Sequence, residues 1–139
     1  MVAVPAQAES APPQAQSGEV DVKIDGLRST KGIIRACLTR DPRHFPKCED
    51  DPAARRASIP VATSTHFSFA NLAPGDYALL ILHDENSNGR VDKTLGIPRE
   101  GVGFSRNPRL FMGPPSFDAV RFPVAQSPVT QVIHMKYFL

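Results

Sequence analysis

From Val20 onward, polar and apolar residues alternate with the two-residue period of a strand that buries one face. In "VDVKI", Val20, Val22 and Ile24 share one side, and Asp21 and Lys23 the other. After a turn at Asp25-Gly26, "GIIRACLT" puts Ile34, Ala36 and Leu38 on one face and Arg35, Cys37 and Thr39 on the opposite one. "HFSFANLAPGDYALLILHD" reads as strand, turn, strand. Phe67 and Phe69 share a face, Pro74-Gly75 punctuates, and Tyr77 to Leu82 is apolar on both sides, as a central strand should be. "FDAVRFPV" and "VTQVIHMKYFL" read as two further strands, the last with Ile133, Met135, Tyr137 and Leu139 on one face. Two stretches break the pattern. "RDPRHFPKCEDDPAARRASIP" is a long polar loop in which Asp51 as N-cap, followed by Pro52, predicts one or two helical turns. Residues 93–115 hold four glycines and four prolines without a period, and such a stretch inside a small domain is often functional. Strands joined by turns, with little helix, predict an all-β antiparallel sandwich.

At 139 residues the chain has room for one core, placed at 19–139. Residues 1–18, rich in Ala, Pro, Gln and Ser, read as a flexible export-related or linker segment. Within them "AQA" before Glu9 has the small-x-small form of a signal-peptidase site, which predicts export to the periplasm or beyond. The two cysteines, Cys37 and Cys48, agree with that and predict a disulfide, which closes a loop worth about 2–3 kcal/mol in the chain-entropy model. The longest apolar run, Tyr77 to Leu82, is far short of a membrane span, so no membrane insertion is expected. A formal charge of +2 with scattered basic residues gives no reason to expect nucleic acid.

"HDENSNGRVD" carries the most chemistry. Calcium takes six to eight oxygens, and a short loop supplies them from alternate side chains, a carbonyl and a glycine-permitted turn. Asp84, Asn86, Asn88, the Arg90 carbonyl and Asp92 fall at those positions, with Gly89 at the turn. The match stops there: Leu95 stands where an EF-hand needs a bidentate glutamate, and the preceding "YALLIL" is a strand. The spacing D-x-N-x-N-G-x-x-D resembles instead the calcium loops between strands of integrin propeller blades. Calcium is therefore the candidate cofactor, bound weakly because only two ligands are carboxylates. The competing reading is a metal-free turn built from Asx side chains.

No nucleophile-elbow, zinc-protease, phosphate-loop or dinucleotide motif is present, and the expected class is non-enzymatic. His83 and Asp84 are adjacent on a strand and so point to opposite faces. Arg99, Glu100, Ser105 and Arg106 form a candidate ligand loop. Arg90, Lys93, Arg99, Arg106 and Arg109, in or beside the long loop, read as a shallow anion site for a phosphate or acidic glycan, or more plainly as a solvated rim. The alternative to a binding module is a small-ligand carrier or hydrolase with a pocket under residues 96–118, in which Glu100 and Asp118 would be the carboxylate pair.

"FANLAPGDYALLILHDENSNGRVDKTLGIPREGVGFSRNP" with "GPPSFDAVRF" closely resembles a bacterial family of exported proteins known as domain of unknown function 2141. The resemblance runs from about Val20 to the carboxyl end. Within that pattern His83 to Asp92 matches H-D-x-N-x-N-G-x-x-D, and Ser87 stands where glycine is common. The "L-x-PG-x-Y" turn also resembles prealbumin-like sandwiches, the carboxypeptidase regulatory domains and transthyretin. These resemblances imply about seven strands and export, and assign no activity. The expected protein is an exported β-sandwich module in which a calcium-pinned turn orders the long loop for an envelope protein or glycan.

Overall fold

The computed structural model describes residues 18–87, 93–94, 97–98, 100–110 and 113–138. The "AQA" site and most of the 1–18 segment lie outside them. Burial follows the alternation. β1 (Gly18–Asp25) buries Val20, Val22 and Ile24, and β2 (Ile33–Thr39) buries Ile34, Ala36 and Leu38 on the same interior. β4 (His66–Leu72) and β10 (Val129–His134) flank β1 in a three-stranded sheet ordered β10-β1-β4. The facing sheet runs β3 (Arg55–Pro60), β2, β5 (Gly75–Asp84) and β8 (Gly101–Phe104). β9 (Phe122–Val124) pairs with the first three residues of β5. Eight strands thus make a sandwich rich in antiparallel pairs, as the patterning predicts. One pair departs from it: β1 and β10 run parallel, Val20 opposite Val129. Two-residue strands β6 (Lys93–Thr94) and β7 (Ile97–Pro98) pair with each other.

β5 is apolar on both sides because both sides are covered. Tyr77, Leu79 and Ile81 face the three-stranded sheet, while Ala78 and Leu80 face a second apolar cluster with Val102, Phe104 and Val120. Phe45 seals that cluster, its ring edge-on to Phe104 at 5.9 Å and to Phe117 at 6.1 Å between centroids. The loop that carries Phe45 is closed by the Cys37–Cys48 disulfide, formed where Cys37 points out of β2 toward that loop. The sandwich closes along one edge, where the Val102 and Lys136 amides each donate to the other's carbonyl, at 2.9 and 2.8 Å.

Two local expectations are corrected. The 40–60 segment forms single 3-10 turns at Pro42–His44 and Cys48–Asp50, and its "RRASIP" is edge strand β3 rather than loop. β3 has no apolar face to betray it, and its backbone pairing with β2 holds it in place. Asp51 caps a turn, not a helix, accepting from the Ala53 amide at 2.9 Å. In "FDAVRFPV", Phe117–Val120 is a helical turn, α1, capped by Ser116, and only Phe122–Val124 is strand.

Candidate functional site

Three segments converge where β5 ends: the turn after β1, the last residues of β5, and the chain after β10. The inward parity of Tyr77, Leu79 and Ile81 carries His83 into the interior, where it is 0% exposed. Its Nε2 lies 2.8 Å from the Lys31 carbonyl oxygen, which only accepts, so Nε2 carries the proton. Nδ1 then accepts from the Tyr137 hydroxyl at 2.7 Å. That hydroxyl in turn accepts from the Arg28 amide at 3.3 Å. Gly101, the cross-strand partner of His83, leaves the space the Tyr137 ring fills; a Cβ there would run into the ring.

Arg28 extends the network outward. Its guanidinium sits 4.5 Å over the Tyr137 ring and donates from Nε and Nη2 to Glu85 Oε1, at 3.1 and 2.7 Å. The Ser29 hydroxyl donates to Glu85 Oε2 at 2.7 Å. The Arg28 bonds, aided by Ser29 and opposed by burial, hold the Glu85 carboxyl below the usual glutamate range. Burial pushes the Tyr137 phenol upward.

Asp84 points the other way, as strand parity requires. On the outer face its Oδ2 accepts from Arg35 Nε at 2.9 Å, with the carboxylate 1% exposed. Its carbonyl accepts from the Ser87 amide at 3.2 Å, and Ser87 itself is left-handed with φ 56°. His83 and Asp84 therefore serve different faces and form no dyad. With both ring nitrogens engaged and no exposure, His83 is built as a buried tie between the sheets.

Of the sequence-predicted calcium ligands, Asp84 is buried and Asn86 exposed at the start of the loop. Asn88, Arg90 and Asp92 lie outside the described residues, as does Arg99. Glu100 is buried, 4% exposed, and the β5–β8 register carries it to the His83 pole. Ser105 and Arg106 are at the other end of β8. The Ser105 hydroxyl, 0% exposed, donates to the Val120 carbonyl at 2.7 Å and accepts from the Leu79 amide at 3.0 Å, so it brackets α1 to β5. Arg106 is exposed and its amide donates to Gln131 Oε1 at 3.1 Å. Asp118, exposed on α1, pairs with Arg121 at 3.2 Å and is not brought to Glu100. Under the described part of 96–118 the side chains of Val102, Phe104, Leu110, Phe117 and Val120 pack together, and a cavity of about 480 Å³ opens at the opposite pole instead.

Sequence reading missed Arg28, Ser29, Glu85 and Gly101 as parts of this site. One signal could have found its centre: His83 and Tyr137 both continue the inward-facing positions of their strands. No curated protein and no solved structure matches the chain. A family model described as "Uncharacterized protein conserved in bacteria (DUF2141)" matches residues 22–132. That span runs from the first buried strand to the last and takes in the whole His83 to Asp92 loop, so the chain belongs to this bacterial family.

Proposed function

We propose that the protein is an exported, non-catalytic module of the bacterial envelope, periplasmic or secreted, whose 84–92 turn takes calcium and displays the 93–115 segment to an envelope protein or glycan. The carrying observation is the His83 network, which fixes both the strand that enters the turn and the chain end packed beside it. A rigid stem is what a weak metal loop needs, because ordering the stem would otherwise oppose binding. The formed Cys37–Cys48 bond supports an oxidising compartment. The packing of eight strands in two sheets is compatible with the prealbumin-like likeness of the "L-x-PG-x-Y" turn.

Asp84, Asn86, Asn88, the Arg90 carbonyl and Asp92 would hold the ion. Arg35 already shares the Asp84 carboxylate, which sets the expected affinity at the weak, extracellular end, about 10⁻³ M. The test is thermal unfolding of the oxidised protein in EDTA, then in millimolar calcium, with magnesium as control. A calcium-specific rise in midpoint that disappears in Asp92→Ala supports the reading. Asp84→Ala is less diagnostic because it also strands Arg35. An unchanged midpoint in calcium would refute the metal and leave the loop as a polar turn.

A further inference from the structure

The cavity of about 480 Å³ lies at the pole opposite His83, between the segment after β2, the start of β3 and the β4–β5 turn. Its size is within the range of small-molecule sites, about 300–1,000 Å³. Four charged residues line it: Arg40, Asp41, Asp51 and Arg55. They are not equivalent. Asp41 is occupied by its own neighbours, accepting from the Arg43 amide and guanidinium at 3.0–3.1 Å and facing His44 Nδ1 at 3.0 Å. Asp51 accepts from the Thr39 hydroxyl at 2.6 Å and the Ala53 amide at 2.9 Å. Both carboxylates thus have their donors within the fold.

The arginines are in the reverse situation. Arg40 lies across Gly75, whose φ of 155° and missing Cβ make room for its stem, and it donates from Nη1 to the Pro74 carbonyl at 3.0 Å. Its guanidinium is 5.7 Å from the Tyr77 ring centroid, which leaves it oriented but with N–H groups to spare. Arg55 is exposed at the start of an edge strand and makes no ion pair with a described residue. Both arginines line the same cavity as Tyr77. What lines the cavity is therefore a pair of guanidiniums with N–H groups to spare beside a buried aromatic, two aspartates whose oxygens are already hydrogen-bonded, and the exposed Asn71.

We propose that this cavity binds a small hydroxylated oxyanion of monosaccharide size, its carboxylate or phosphate held between Arg40 and Arg55. Forked guanidinium donors match the paired oxygens of either group, and an amide at the rim suits hydroxyls. The site is independent of the calcium proposal, since Asp84 and Asn86 lie at the other end of β5.

Calorimetric titration of the full chain with D-glucuronate, glucose 6-phosphate and D-glucose tests this. Saturable binding of one or both anions, weakened by salt and absent for D-glucose, is the expected result, and the preferred anion identifies the group recognised. Arg55→Ala should weaken it about tenfold or more while leaving the unfolding midpoint unchanged, since the substitution keeps the β3 backbone and removes an exposed side chain that makes no ion pair with a described residue. Arg109→Ala, on the other loop, should bind like the parent. The proposal is overturned if neither anion binds at millimolar concentration, if D-glucose binds as well, or if Arg40→Ala and Arg55→Ala both bind like the parent.

Discussion

Tyr137 holds two groups with one oxygen, giving its proton to His83 Nδ1 and accepting from the Arg28 amide. Removing that oxygen leaves a fully buried imidazole nitrogen with no donor, a loss of about 1–3 kcal/mol. Tyr137→Phe should therefore lower the unfolding free energy by that amount, read as a lower denaturant midpoint at unchanged slope; a change under about 0.5 kcal/mol would mean the hydroxyl contributes little to the tie. The strand parities of His83 and Tyr137 were legible in the sequence, but their meeting was not, because 54 positions separate them. Ser87 is a residue where the sequence spoke more clearly. The loop pattern it resembles commonly has glycine there, and the Ser87 backbone is left-handed, which a serine adopts only at a cost.

At the scale of elements, legibility followed burial. β1, β2, β5 and β10 carry apolar faces and were all readable, down to Cys37 pointing away from the core. β3 shows only exposed and half-buried positions, so its strand character comes from β2 and not from its own sequence. The second apolar cluster was hidden for a related reason: Phe45, Leu110 and Phe117 reach it from separate loops. The disulfide closes the covering loop that carries Phe45, and with its ends 11 positions apart it should contribute about 2–3 kcal/mol. Denaturant unfolding with and without a reductant checks this, with the Cys37→Ser/Cys48→Ser double variant expected to match the reduced parent. The cavity was likewise invisible in the sequence, since three distant turns build it.

Acid should unfold the whole molecule from both poles. Asp51, with the Thr39 hydroxyl and Ala53 amide, and Glu85, with Arg28 and Ser29, are held below the usual carboxylate range. Asp41 is lowered further by the Arg43 side chain and amide. A depressed folded-state value means the stabilisation is complete above the unfolded value, about 4, and is lost as pH falls through the folded ones. The unfolding midpoint should hardly change from neutrality to about pH 5 and should fall steeply below about pH 4. Thr39→Val, which removes the first donor to Asp51, should flatten part of that fall; an identical acid profile would show that Asp51 is not responsible.

The parallel pairing of the first and last strands gives the molecule a direction. The chain enters at Gly18, packed against Leu72 beside the cavity, while β10 carries it past Asp25 toward Tyr137 at the opposite end. A tether fixed at Gly18 would therefore sit on the cavity side of the sandwich, and one fixed next to Tyr137 on the side of His83. An immobilised sample would present a different pole depending on which terminus carries the tag. Calcium response and anion binding should accordingly be measured on surfaces coupled through opposite ends.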